Sequence, residues 1–558
     1  MLQFGFQRSN PAAQPQVADG GRYTRTLIGD LAHSALGALP PHWREAAAER
    51  WLRRSGVPGP ANEHVFQYLL SKKARPDAAQ EQPEAAGLRG ADLFYERQYR
   101  QYLNTTMSAY AATATLALLG CGGKSRGRLW GRHRPLCAAM VEEADGAPPV
   151  IVLDRQIVAV PLALPQPTGL DRVRDIGRWL SGRLPMPWTY KELAAGEPVR
   201  CTTPGARARR RGAAGALIEL ADAVRHTGKL AILALHPHDP DAMGLHITLF
   251  GTQILSPEAL EADYGLEKDF LNPWRQAASA RNAVLHFFVG ATEELFAHCS
   301  LNLFVKRRVS NPGNVPPERW TPFDPLENLL AKQFELFQVT VSASGLPGIS
   351  PRNGDAGKAG FLVRDGSRAS ILMPYFTGNF IHGHAAKLWS NPQGALTIRD
   401  DHTALSLIVI RGKAYTVGHD WVKKRFPNTA AQVAGRRKQS GQPAAAPEYW
   451  FVQEVSEILQ QDEPLAANAL DPARPTSTIH AAGPAHYPKK AHYFETANLP
   501  PYDRERQHER EAAGRPADPS GASYRHWQLE TAPALAARRA HLERAGAAGA
   551  AQDSSPSG

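Results

Sequence analysis

The chain of 558 residues has only four cysteines, Cys121, Cys137, Cys201 and Cys299, and no two of them form a CxxC pair. That excludes a disulfide framework and a tetrathiolate zinc site, and leaves reduced structural thiols. Long apolar runs are missing as well. The longest uncharged stretch, Gln101 to Gly123, is rich in Ala and Thr, which makes it a poor membrane span. The opening MLQFGFQRSNPAAQPQ has no apolar core of signal-peptide length, so the expectation is a cytoplasmic protein, or one exported without a cleaved signal peptide. There is no GxSxG and no zinc-deaminase pattern. Gly120-Cys121-Gly122-Gly123-Lys124-Ser125 ends like a P-loop, but Leu118 stands where the phosphate-wrapping glycine belongs.

What is present is a basic, loop-rich chain. Its formal net charge is +11, which favours acidic partners: an acidic protein surface, a protein substrate or, without any motif to support it, nucleic acid. Hydrophobic residues make up 43%, enough for sizeable cores, while 47 glycines and 45 prolines call for many turns.

The expected fold class is α+β in four parts. Residues 1–125 read as a helical region, with apolar residues at three-to-four spacing over Glu45–Arg54, Glu63–Lys73 and Ala91–Leu103. Residues 126–310 read as an α/β domain. Its expected strands are Val150–Leu153, Ile157–Leu164, Lys229–Leu235, Leu245–Gly251 and Ala283–Val289, its expected helices Ala214–Arg225 and Thr292–Cys299, with Ala206–Gly212 a basic loop. Residues 326–470 open with a helix, Leu326–Phe337, and turn strand-rich. Residues 471–558 carry the composition of a disordered tail with one helix near Ala532–Ala545. No internal repeat is legible.

Two histidine clusters are candidates for chemistry. His236 and His238, with Asp241, follow an apolar strand and offer the ligand set of a metal-dependent hydrolase. His382 and His384, with Asp400, Asp401 and His402 downstream, would share one strand face.

From Val339 to Ala469, a glycine turn (Gly357-Lys358-Ala359-Gly360) precedes an apolar strand, Phe361–Val363. A second apolar run ends in Tyr375-Phe376-Thr377-Gly378. Arg425-Phe426-Pro427-Asn428-Thr429 follows, and Ile458–Leu465 closes the unit. This order resembles the SET-domain protein lysine methyltransferases, over about a quarter of the chain. The resemblance implies S-adenosylmethionine as cofactor, with Gly357, Gly360, Arg425 and Asn428 as cofactor-binding residues. It also implies Tyr375 and Tyr449 as catalytic tyrosines, with Tyr487 and Tyr493 as alternatives for the closing tyrosine. Glycine lets the backbone approach a sulfonium donor, an asparagine amide can hold an amino-acid group, and a water-poor channel lowers the pKa of a lysine nucleophile. A non-enzymatic effector or adaptor, acting through protein–protein contacts, is the alternative reading of the same composition.

Overall fold

The computed structural model describes residues 103–122, 136–166, 188–236, 244–298, 307–308, 326–342, 345–352, 360–376, 383–399, 406–439, 447–462, 468–469 and 531–544, with gaps at 104, 145, 333–334, 448, 534 and 541. The helices expected within 1–103 and most of the tail lie outside these residues.

The first lobe runs α1 (Thr105–Ala112), β1 (Leu116–Gly122), β2 (Leu136–Glu142), β3 (Ile151–Asp154), β4 (Ile157–Pro165), α2 (Trp188–Ala195), β5 (Glu197–Val199), β6 (Arg207–Arg211), α3 (Ala213–Thr227), β7 (Leu230–Leu235), β8 (Gly244–Leu255), α4 (Pro257–Tyr264), α5 (Asn272–Ala280) and β9 (Ala283–His298). A short β10 (Arg307–Arg308) follows. The second lobe runs α6 (Leu326–Lys332), β11 (Leu336–Val341), β12 (Pro347–Arg352), β13 (Phe361–Asp365), β14 (Arg368–Tyr375), α7 (Gly383–Ser390), β15 (Gln393–Arg399), β16 (Ser406–Gly418), α8 (His419–Arg425), α9 (Pro427–Gln439), β17 (Tyr449–Glu454), β18 (Glu457–Asp462) and β19 (Asn468–Ala469), the last pairing with β10.

Local chemistry sets many of these boundaries. Helix α3 ends where Gly228 takes φ 63°, a conformation that costs glycine little and lets its N–H close on the Val224 carbonyl. Helix α4 starts at Ser256, whose hydroxyl accepts from the Ala259 N–H at 3.2 Å, with Pro257 in the first turn, and stops at Gly265. Strand β7, LAILAL, is buried along its whole length because both its faces are covered. Leu230, Ile232 and Ala234 pack with α3, while Ala231, Leu233 and Leu235 face the other lobe.

The two sheets have the same strand order. The first is β2-β1-β7-β8-β9-β4-β3 and the second β12-β11-β15-β16-β17-β14-β13. Along these seven-strand paths each strand has its counterpart, and long β9 covers the ground of β17 and β18 together; the second sheet carries three further strands, β18 on β16, β6 on β18 and β5 on β6, and β5 and β6 have no counterpart in the first. Helices match too: α3 precedes β7 as α7 precedes β15, and the pair α4–α5 joins β8 to β9 as α8–α9 joins β16 to β17. Among the described residues the two lobes thus share one topology, a repeat that the sequence does not show.

The lobes meet face to face. Leu116, Leu118, Leu136, Ala138, Met140, Leu233 and Leu235 form one apolar layer with Phe337, Val339, Val341, Ile349, Ala395, Leu407, Val409 and Leu459. The contact is reciprocal, with β12 lying on β1 and β7 while β2 lies on β11 and β15, as a pseudo-twofold arrangement requires. Gly120 and Gly122 belong to this layer rather than to a phosphate loop. A Cβ on Gly120 would meet Val339 Cγ1 at 2.7 Å and Ile349 Cγ1 at 3.2 Å. Gly120→Ala is therefore expected to destabilise the chain by about 1–3 kcal/mol through overpacking, read as a lower urea midpoint.

Five expectations change. The region expected to be α/β is built on an antiparallel sheet; every ladder within it is antiparallel, so the lobe is α+β. Leu116–Gly122, inside the segment expected to be helical, is a strand of that sheet. Thr292–His298, expected as a helix, continues β9 because it pairs with Gly244–Leu249. The basic loop is strand β6, held by parallel pairing with β18 of the second lobe. The expected helix at Leu326–Phe337 ends at Lys332, after which the chain turns into β11. Helical residues at 531–544 agree with the helix expected there, and Arg538 lies over the Tyr110 ring at 4.7 Å.

Candidate functional site

Polar residues inside apolar strands mark the region. Strand β8 carries His246 and Thr248 on one face, and β9 carries Glu294, Phe296 and His298. These are buried against β12 and α7 of the second lobe. The Ile349 carbonyl lies 3.1 Å from His246 Nδ1 and 3.0 Å from His298 Nε2. A carbonyl only accepts, so both ring nitrogens donate, and His246 Nε2 is left to accept from the Thr248 hydroxyl at 2.9 Å. Lys387, on α7, crosses the lobe boundary. Its ammonium donates to Glu294 Oε2 at 3.1 Å and to the Pro347 carbonyl at 3.2 Å. Gly348 makes room for it, since a Cβ there would lie 2.6 Å from Lys387 Nζ and 3.3 Å from the His384 ring.

The polar seam continues into the second lobe. Along β11, Phe337, Val339 and Val341 face the first lobe, so Gln338 and Thr340 point to the opposite, inner face. Thr340 Oγ1 is 2.8 Å from His384 Nδ1, and His384 Nε2 has no hydrogen-bond partner. Arg352, at the end of β12, donates from Nε to Gln338 Oε1 at 2.9 Å. Its guanidinium lies over the Phe451 ring at 4.0 Å, and its Nη2 is without a partner. Arg352 is 7% exposed, and no carboxylate among the described residues pairs with it.

Electrostatics follow from burial. Burial pushes the pKa of His246 down, with Glu294 opposing. It pushes those of His298 and His384 down further, helped by His246 in the first case and by Arg352 and Lys387 in the second. Burial also lowers Arg352 to about 10, against the pull of Tyr449 and Tyr375. All three imidazoles are neutral in the folded chain at pH 7. In the unfolded chain they take up protons near pH 6.5, and in the folded chain only below it. Stability is thus at its full value above about pH 6.5 and is lost as pH falls beneath it. The expected result is a thermal midpoint that declines from pH 7 to 5, and declines less in His384→Gln.

The sequence-predicted residues fall in several places. Tyr375 and Tyr449 come together, stacked with ring centroids 4.4 Å apart and both beside Phe451, so this pair borders Arg352. Gly360 is a packing position at the start of β13, where a Cβ would meet Ile371 Cγ2 at 2.8 Å. Arg425 pairs with Asp365 at the far end of the same strand, on the surface. Asn428 is exposed in the first turn of α9. Gly357, Tyr487 and Tyr493 lie outside the described residues. His236 is buried, with Nε2 3.1 Å from Thr113 Oγ1 and Tyr110 edge-on to its ring, while His238 and Asp241 lie outside the described residues. His384 sits in helix α7, not in a strand, and His382, Asp400, Asp401 and His402 are not described. Among the described residues no group of three or more His, Cys, Asp or Glu is arranged to hold a metal ion.

Arg352, Lys387, His246, Glu294 and His298 were not singled out from the sequence. The available signal is weak: His246 and Thr248 two apart in the apolar run GLHITLF, and Thr292, Glu293, Glu294 and His298 in GATEELFAH.

No family model matches the sequence, and neither does any curated protein. Among solved structures, the chain is similar to HutZ, the heme storage protein from Vibrio cholerae, at 16% identity, over 25% of this chain and 94% of that one, with a TM-score of 0.18. It is similar to HupZ of Group A Streptococcus at 15% identity, over 25% and 94%, with a TM-score of 0.18. A pyridoxamine 5'-phosphate oxidase-related, FMN binding protein from Nostoc punctiforme is 10% identical over 26% and 85%, also with a TM-score of 0.18.

Proposed function

We propose that this protein binds a small anionic ligand, bearing a carboxylate or phosphate group, beside the polar seam on the inner face of the second lobe. Arg352 anchors the anion and His384 Nε2 is the second contact. The observation that carries this reading is the Arg352 guanidinium: buried, charged and matched by no described carboxylate. A buried cation without a counter-ion costs several kcal/mol, and such a cost persists where the charge serves binding. The neighbouring aromatic wall of Phe451, Tyr449 and Tyr375 suits a ligand with a flat, apolar part.

Titration with inorganic phosphate and adenosine monophosphate tests this reading. Both are expected to raise the thermal midpoint of the natural chain and to leave Arg352→Met unchanged. Without ligand, Arg352→Met is expected to be as stable as the natural chain or more so, because it removes an uncompensated charge. An equal ligand response in the two proteins, or none in either, would refute the anion site.

Methyl transfer from S-adenosylmethionine is the function implied by the sequence resemblance; of the residues it names, Tyr375 and Tyr449 stack together, while Gly357 lies outside the described residues. Gly360 and the Arg425–Asp365 pair stand at opposite ends of β13, about 16 Å apart for five extended residues. S-adenosylmethionine carries a carboxylate and so belongs in the same titration. A response lost in Arg352→Met assigns it to the anion site, whereas one lost only in Asn428→Ala favours the methyl-transfer reading.

A further inference from the structure

The two helix pairs that join matching strands differ in charge. Helices α4 and α5 lie between β8 and β9, and α8 and α9 between β16 and β17. Each pair turns an apolar side inward. Leu260, Leu271, Trp274 and Ala278 pack with Phe287 and Val289 of β9. Val422, Ala430 and Val433 pack with Trp450 and Val452 of β17. The outer sides face solvent, and their charges have opposite sign. Residues 257–280 hold five carboxylates and two cations, whereas residues 419–439 hold one carboxylate and six cations.

Contacts within each pair cancel only part of this charge. Arg275 Nη1 donates to Glu261 at 2.7 Å and its Nη2 lies 3.8 Å from Glu258, so one guanidinium serves two carboxylates. Asp263 and Glu267 are exposed and form no ion pair among the described residues. On the basic side Lys423 lies 3.7 Å from Asp420, and Arg425 pairs with Asp365. Lys424 is exposed and forms no ion pair among the described residues. Each face also offers aromatic surface. Trp421 is 36% exposed, edge-on to Phe426, with the Arg425 guanidinium 5.5 Å from its ring centre. Tyr264 and Phe270 are half-buried on the acidic pair.

We infer that the basic face of α8 and α9 docks on the acidic face of α4 and α5 in a second copy of this chain, head to tail. Charge complementarity selects that occupant, because one chain carries both halves of the match. Each exposed ion pair contributes little, so the contact is weak and sensitive to salt, and Trp421 supplies its apolar centre. The two faces are unlike, so the contact is not self-complementary. Each docked copy leaves one basic and one acidic face open, and assembly continues past the dimer unless a ring closes. Arg352 and the polar seam take no part.

Sedimentation velocity on the full chain is the test. The net charge of +11 repels one copy from another, so the measurement belongs at about pH 9, where lysines and carboxylates keep their charge while the net charge is small. At about 0.01 M salt, where charges act over about 30 Å, the natural chain is expected to grow beyond a dimer as its concentration rises. At about 1 M, where they act over about 3 Å, it is expected to be a monomer. Two double variants separate the faces: Lys423→Glu with Lys424→Glu, and Asp263→Lys with Glu267→Lys. Each alone is expected to stay monomeric at low salt, and their equimolar mixture to form pairs, because each keeps the natural face that the other lost. Trp421→Ala, which changes no charge, is expected to weaken the association of the natural chain. A natural chain that is monomeric at both salt concentrations overturns the inference, as does a mixture that stays monomeric or a Trp421→Ala chain that associates undiminished. A monomeric chain that binds phosphatidylserine vesicles, and loses them in the Lys423, Lys424 variant, overturns it too and gives the basic face to a lipid surface.

Discussion

Lys387→Met is expected to lower the unfolding free energy by about 3–5 kcal/mol. The methionine fits the ammonium's place, but Glu294, with its side chain 5% exposed, keeps a buried charge whose strongest partner is gone. His246 Nε2 lies 3.5 Å from that carboxylate and would be drawn toward protonation, at a cost set by its own burial. The double variant Lys387→Met, Glu294→Gln should recover much of the loss, because removing both charges leaves hydrogen-bonding groups rather than an orphaned ion. Urea unfolding of the four proteins gives the coupling energy directly. Single and double variants of equal stability would mean that the pair is not buried as described.

Glu219→Ala has the second large effect, about 3 kcal/mol at neutral pH, near the lower end for a buried pair because Glu219 is only partly buried. Burial pushes the Glu219 carboxyl up, but Arg411 and Arg211 outweigh it and hold the pKa at about 2. Arg411 in turn is raised above its ordinary value by Glu219, against burial. Because the folded pKa lies below that of the unfolded chain, this stabilisation is fully present above about pH 4.5 and is lost as pH falls toward 2. The gap between Glu219→Ala and the natural chain should therefore be constant from pH 8 to 5 and narrow below that. Acid difference spectra of unfolding at fixed urea would show it. A gap that does not depend on pH would mean that the variant's penalty is a cavity rather than a lost charge.

These two ion pairs also explain what sequence reasoning missed. Each joins residues far apart in the chain, and the apolar strands around them look like ordinary core. The Arg207–Arg211 run has the composition of a solvated loop, yet it is a strand because β18 of the other lobe supplies its hydrogen bonds. Thr292–His298 has apolar residues at a spacing compatible with either a helix or a strand. Ladder pairing with β8 decides for the strand. The shared topology leaves no readable repeat, because matching positions in the two sets of ladders hold unlike residues: His246 against Arg411, Phe296 against Glu457, Leu233 against Ala395.

The sequence by itself determined the local grammar: where glycines end helices, which short runs alternate two faces along a strand, and the overall mixture of helix and sheet. Those are properties of neighbours along the chain, set by backbone sterics and side-chain periodicity. Only the tertiary structure decided that two like sheets face each other. It alone brings Lys387 to Glu294 and Glu219 to Arg411, and leaves Arg352 as a cation without a described counter-ion. Whether a charge is buried and whether it is matched depend on what the distant chain brings beside it, and no local pattern encodes that.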